Sequence, residues 1–161
     1  MSADLLEQYQ LFIDGQFVPS TSGETFNVKN PFDSQDLASI SKASSDDLNI
    51  AANAARIAFE GTWSKMLPFD RGKYLSKIAD EILRREDEIA VAETRSSGKT
   101  IQNSKNEVVA AARVFDYYAG AMDKFFGSTI PLGGDFIDFT LREPVGVVAQ
   151  ITPWNFPFMA A

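Results

Sequence analysis

The residue types and spacing that could do chemistry lie in one short stretch, Thr152-Pro153-Trp154-Asn155-Phe156-Pro157. An asparagine side chain offers an amide N–H. Preorganised toward a carbonyl that is accepting a nucleophile, such a donor can lower the barrier by roughly 3 to 4 kcal/mol, because negative charge gathers on the carbonyl oxygen in the transition state. Asparagine is also a good cap, so Asn155 reads as well as the residue closing a turn between a strand and a helix. On residue types alone both readings stand.

The groups that usually accompany such a donor are missing. The 161 residues contain no cysteine and no histidine. That excludes a disulfide framework, thiolate chemistry and a Ser-His pairing, and it removes the usual general base and the commonest transition-metal ligand. Carboxylates do not fall at calcium-loop spacing, so no metal site is expected. Gly98-Lys99-Thr100 looks like the tail of a phosphate-binding loop, but the glycine that such a loop needs five residues earlier is Glu93. A helix stop followed by a helix start accounts for the tripeptide better. The pair Asp46/Asp47 and the run Glu86/Asp87/Glu88 read as solvated first helical turns, where carboxylates complement the dipole.

Composition sets wider bounds. At 45% hydrophobic and 23% charged residues, the chain has the balance of an ordinary globular protein. A net charge of −7, with lysine and arginine scattered along the chain, opposes nonspecific attraction to nucleic acid or an anionic membrane. No run approaches the roughly 18 apolar residues of a membrane span, and the first ten residues lack a basic stretch followed by an apolar core. These features lead us to expect a cytoplasmic protein with neither nucleic-acid nor membrane partners.

The elements that must position the turn can be read from periodicity. Residues 145–151 are apolar except for Gly146 and Gln150, the pattern of a strand buried on both faces of a parallel sheet. Residues 157–161 look like the first turn of a helix, which would put the polar turn at the carboxyl end of the strand, where open α/β sheets bind ligands. Upstream, Asp14-Gly15 between two apolar runs predicts a type I′ hairpin. A strand is expected around 25–29, ending at Asn30-Pro31. Ser45 is expected to cap a helix that runs to about Phe59 and ends at Gly61. A second helix is predicted from Pro68, burying Leu75, Ile78, Ala79, Ile82 and Leu83, and a third over 86–97, stopped by Gly98. A fourth is expected over 100–126, with Ile101, Val108, Ala112, Phe115, Ala119, Met122 and Phe125 as its core stripe. A strand over 136–141 follows Gly133-Gly134.

The segment REPVGVVAQITPWNFPFMAA (142–161) resembles the EPxGVxxxIxPWNxP signature of the NAD(P)-dependent aldehyde dehydrogenase superfamily. Three more landmarks occur in the family's order. LFIDGQFVPSTSGETFNVKNP (11–31) is similar to its N-terminal strands, ETRSSGKT (93–100) to its E-T-x-x-x-G-K segment, and DYYAGAMDKFFGSTIPL (116–132) to the stretch that follows.

The resemblance implies an α/β fold: the N-terminal part of a Rossmann-type cofactor domain, built from a strand hairpin, about four helices, a β-extension strand and the first parallel strand. It implies an N-terminal tail over 1–10, disordered or helical, cofactor-domain residues over 11–133, the first strand of an oligomerisation extension over 134–142, and the start of the cofactor-binding core over 143–161. Ile151, Thr152, Pro153 and Trp154 would lie along the ribose and pyrophosphate of NAD or NADP. Asn155 would be the oxyanion donor for a thiohemiacetal, and Phe156 a wall of the aldehyde tunnel. Glu107 resembles one of two acidic positions that bind cationic substrates in the aminoaldehyde branch, whereas Ala110 departs from the other.

In the family, a cysteine attacks the aldehyde, hydride passes to NAD(P)+, and a glutamate activates the water that cleaves the thioester. The cysteine, that glutamate, and the lysine and glycine-rich turn that hold the adenosine phosphates would follow Ala161. We therefore expect a truncated fragment, inactive alone, of an oligomeric aldehyde-oxidising enzyme. The alternative is a non-catalytic assembly module that pairs with full-length subunits through an exposed β-edge.

Overall fold

The computed structural model describes residues 6–161. Strands β1 (Glu7–Tyr9), β4 (Thr25–Lys29) and β5 (Asp36–Ser41) form one small mixed sheet in the order β1-β5-β4, with β1 parallel and β4 antiparallel to the central strand. β2 (Leu11–Ile13) and β3 (Gln16–Val18) form the expected hairpin, with Leu11 opposite Val18. Asp14 and Gly15 both take positive φ (52° and 75°), the backbone that a type I′ turn requires. Part of the 1–10 segment, expected to be a disordered or helical tail, is a strand. Glu7–Tyr9 is a strand because the free edge of β5 supplies backbone partners, with Glu7 opposite Ala38; residues 1–5 lie outside the described residues. The sequence reading assigns no element to β5, whose two serines hide its strand character until a neighbour pairs with it.

Four helices follow: α1 (Ser45–Ala58), extended by a π-type turn at Phe59–Trp63, then α2 (Pro68–Arg84), α3 (Glu86–Ser97) and α4 (Ile101–Ala121). The regular helix breaks at Gly61, whose ψ is −128°. Ser44, one residue before the expected cap, forms a capping box with Asp47. Asp47 is buried rather than solvated, at 2% exposure. Its carboxylate accepts from Ser44 N–H at 2.8 Å, Ser20 Oγ–H at 2.8 Å and Thr21 N–H at 3.1 Å, tying α1 to the end of the β2–β3 hairpin.

The core lies between α2, α3 and α4. Ala79, Ile82, Ala90, Val108 and Ala112 are buried there, with Ile89, Phe115 and Phe158 packed against them. Ile78, Leu83, Ile101 and Phe125, expected in the helical stripes, are exposed because no described residues cover those faces. α4 stops at Ala121, short of the expected 126, and Lys124 N–H closes a turn onto Ala121 C=O at 2.8 Å. The strand expected over 136–141 contracts to β7 (Asp138–Phe139), paired antiparallel with β6 (Thr129–Ile130). Residues 145–151 join no ladder among the described residues, and Val145, Val148 and Ile151 face outward. A strand that is apolar on both faces needs a pairing strand on each side, and none of the described strands pairs with it.

Candidate functional site

The chain enters the site at Trp154-Asn155, a turn that leads through Phe156 into α5 (Pro157–Ala160). Pro157 suits the first helical position, since its φ is already set and its missing N–H would have had no helical partner. Two contacts fix this short helix to the body. Phe158 packs against the Val108/Ala112 core, and Met159 N–H donates to Glu107 Oε1 at 3.3 Å.

Glu107 belongs to a buried three-charge cluster. Glu93 on α3 and Glu107 on α4 both accept from the Lys99 ammonium. Local sequence explains the placement. Gly98 takes the left-handed backbone (φ 78°) that ends α3, with its N–H on Thr94 C=O at 2.9 Å. Thr100 caps α4 by accepting from Asn103 N–H at 3.3 Å. Lys99 is thus the hinge residue between two caps, and Gly98-Lys99-Thr100 is a helix stop and start as expected. Burial acts to lower the Lys99 pKa, but the hydrogen bonds and charges of Glu107 and Glu93 outweigh it and hold the ammonium above its ordinary value.

Beside this cluster lies an open cleft of about 430 Å³ between the hinge, the first turns of α4 and α5, with Asn103, Asn106, Ala110 and Met159 in its walls. Phe156 also lines it, with the Lys99 ammonium 4.9 Å from its ring centroid. The fold therefore brings Phe156 and Glu107 together from separate helical elements of the chain. Both Glu107 carboxylate oxygens are engaged, one by Lys99 and one by Met159 N–H. Ile151, Thr152, Pro153, Trp154 and Asn155 are exposed, and none of the five lines that cleft. Sequence reasoning missed Lys99 and Glu93 as members of the site. The available signal was a lysine locked between a C-cap glycine and an N-cap threonine, with a glutamate on each flanking helix.

The aldehyde dehydrogenase family matches residues 17–161. The chain belongs to that family. It is 43% identical over 152 residues to aldehyde dehydrogenase family 2 member B4, mitochondrial, of Arabidopsis thaliana, covering 93% of this chain and 28% of the plant protein. Against a Saccharomyces cerevisiae aldehyde dehydrogenase named for NAD(P)+ it is 39% identical, over 100% of this chain and 32% of the yeast one. The NAD+ complex of aldehyde dehydrogenase from Bacillus cereus superposes with a TM-score of 0.92 at 39% identity, covering 95% of this chain and 32% of that one. This chain thus spans about 30% of the length of such relatives, and it has the α/β fold of the corresponding region. Among its described residues, no helix is long and apolar enough to cross a membrane.

Proposed function

We propose that this chain supplies the oxyanion donor and part of the dinucleotide cradle of an NAD(P)+-dependent enzyme that oxidises an aldehyde to a carboxylic acid. The observation that carries the reading is the Pro153-Trp154-Asn155 turn in a chain of this family, docked on the helical core through Phe158. Asn155 is exposed, so its amide is open to a substrate carbonyl oxygen. Phe156 forms a wall of the aldehyde passage. Glu107, already paired, shapes the cleft and carries no free charge toward a cationic substrate.

The exposed 151–154 stretch fits a dinucleotide running along it, because its backbone groups take part in none of the described backbone hydrogen bonds. When bound, NAD(P)+ would accept the hydride. Asn155 would hold the carbonyl oxygen while negative charge builds on it, and the 151–154 backbone would orient the ribose and pyrophosphate. The 161 residues hold no cysteine, so by themselves they lack the nucleophile of covalent catalysis and oxidise no aldehyde. The hairpin at β6 and β7, with Phe136, Ile137 and Leu141 exposed, would serve as the edge that pairs subunits.

A chimera tests this reading. Joining these residues to the remainder of the Bacillus cereus enzyme should give aldehyde-dependent NADH formation. Asn155→Ala in the chimera should lower kcat by roughly 100- to 1,000-fold, the usual loss for one oxyanion donor. A folded, NAD+-binding chimera whose kcat ignores that substitution would overturn the assignment. NADH formation by the 161-residue chain alone would overturn its predicted inactivity.

A further inference from the structure

Asn155 has no side-chain hydrogen bond among those described, yet an oxyanion donor works only if its direction is set before the substrate arrives. Whatever aims it must act through the neighbouring backbone. On the carboxyl side, two contacts from the same buried charge cluster reach the segment, one to a side chain and one to the backbone. The Lys99 ammonium faces the ring of Phe156, the next residue after Asn155, at 4.9 Å. Glu107 Oε1 receives Met159 N–H at 3.3 Å, one turn further on.

We infer that Lys99 and Glu107 are positioning residues that clamp the 155–159 segment and so orient the Asn155 amide. The inference rests on the proposed oxyanion role of Asn155. The cluster suits the task because it is rigid by construction. The side chains of Glu93 and Glu107 are 4% and 3% exposed, and that of Lys99 is 17% exposed. The ammonium bridges two carboxylates on separate helices, so it has one position that satisfies both. Its backbone is pinned between the Gly98 and Thr100 caps. Removing the lysine would leave two buried carboxylates without the cation they share. Replacing Glu107 by glutamine keeps the volume and an acceptor but weakens the ammonium contact. Lys99→Met takes the cation from the Phe156 ring, and Glu107→Gln takes the charged acceptor from the Met159 N–H.

The competing account is that Phe158, packed on the Val108/Ala112 core, holds the segment by itself. Backbone order parameters from nitrogen relaxation of the 161-residue chain separate the two. In Lys99→Met and Glu107→Gln, the values for the amides of Asn155, Phe156, Phe158 and Met159 should fall from about 0.85 to below about 0.6, while those of the 104–112 stretch of α4 stay unchanged. Lys99→Arg, which keeps the charge, should restore order. Unchanged order at 155–159 in both variants, or an equal loss along α4, would overturn the clamp. In the chimera, the clamp predicts that Glu107→Gln lowers kcat with little change in KM. If order at 155–159 is lost and Asn155→Ala is nonetheless silent in the chimera, the clamp stands and the oxyanion assignment falls.

Discussion

Gly72 on α2 meets the backbone of Ala119 on α4 so closely that a Cβ built on the glycine would stand 2.7 Å from the Ala119 carbonyl oxygen. The contact is to backbone, which cannot rotate aside. Gly72→Ala should therefore force the two helices apart and destabilise the chain by about 1–3 kcal/mol, despite alanine's better helix propensity. Urea unfolding followed by circular dichroism measures this, and a stabilised variant would show that the helices move freely.

Val108 is fully buried at the centre of the α2–α3–α4 core. Val108→Ala removes two methyl groups where surrounding alanines leave little to collapse inward. The expected loss is about 2 kcal/mol, read from the shift in urea midpoint at unchanged slope. The exposed Ile101→Ala should change the midpoint far less.

Ser44 closes the capping box of α1 by accepting from Asp47 N–H at 3.2 Å. Ser44→Ala should cost about 1 kcal/mol, and Ser44→Gly only a few tenths, because glycine leaves the cap open to water. Comparison of the two thermal midpoints distinguishes lost capping from local packing.

Asp47 accepts from Ser44 N–H first, and then from Ser20 and Thr21. These bonds outweigh the cost of burial and hold its carboxyl well below the usual carboxylate range. A depressed folded-state pKa contributes stability that is fully present above the unfolded value of about 3.9 and is lost as pH falls below it. Wild type should lose thermal stability between about pH 4 and pH 2 more steeply than Asp47→Asn. Parallel curves for the two proteins would refute the assignment.

The parts legible in sequence are those whose cause is local. The Asp14-Gly15 hairpin follows from backbone freedom at positive φ. The start of α2 at Pro68, the stop of α3 at Gly98 and the start of α4 beside Thr100 follow from groups that the chain itself satisfies at helix ends. The Pro153-Trp154-Asn155 motif in its setting carried the family, which the family match then showed. Periodicity placed Ala79, Ile82, Val108 and Ala112 in the core, since apolar residues on one helical face must find one another.

Tertiary structure decided everything that depends on a partner distant in sequence. Strand β5 exists because β1 and β4 flank it, and the 145–151 stretch, though more apolar, joins no ladder because no described strand pairs with it. Asp47 is buried because Ser20 and Thr21 come to meet it. Lys99 joins Glu93, Glu107 and Phe156 because two helix caps and a returning α5 converge on one point. Backbone propensity and helix-end chemistry act over a few residues, so sequence by itself determines them. Burial and charge pairing depend on which surfaces meet in space, and only the packed chain determines those.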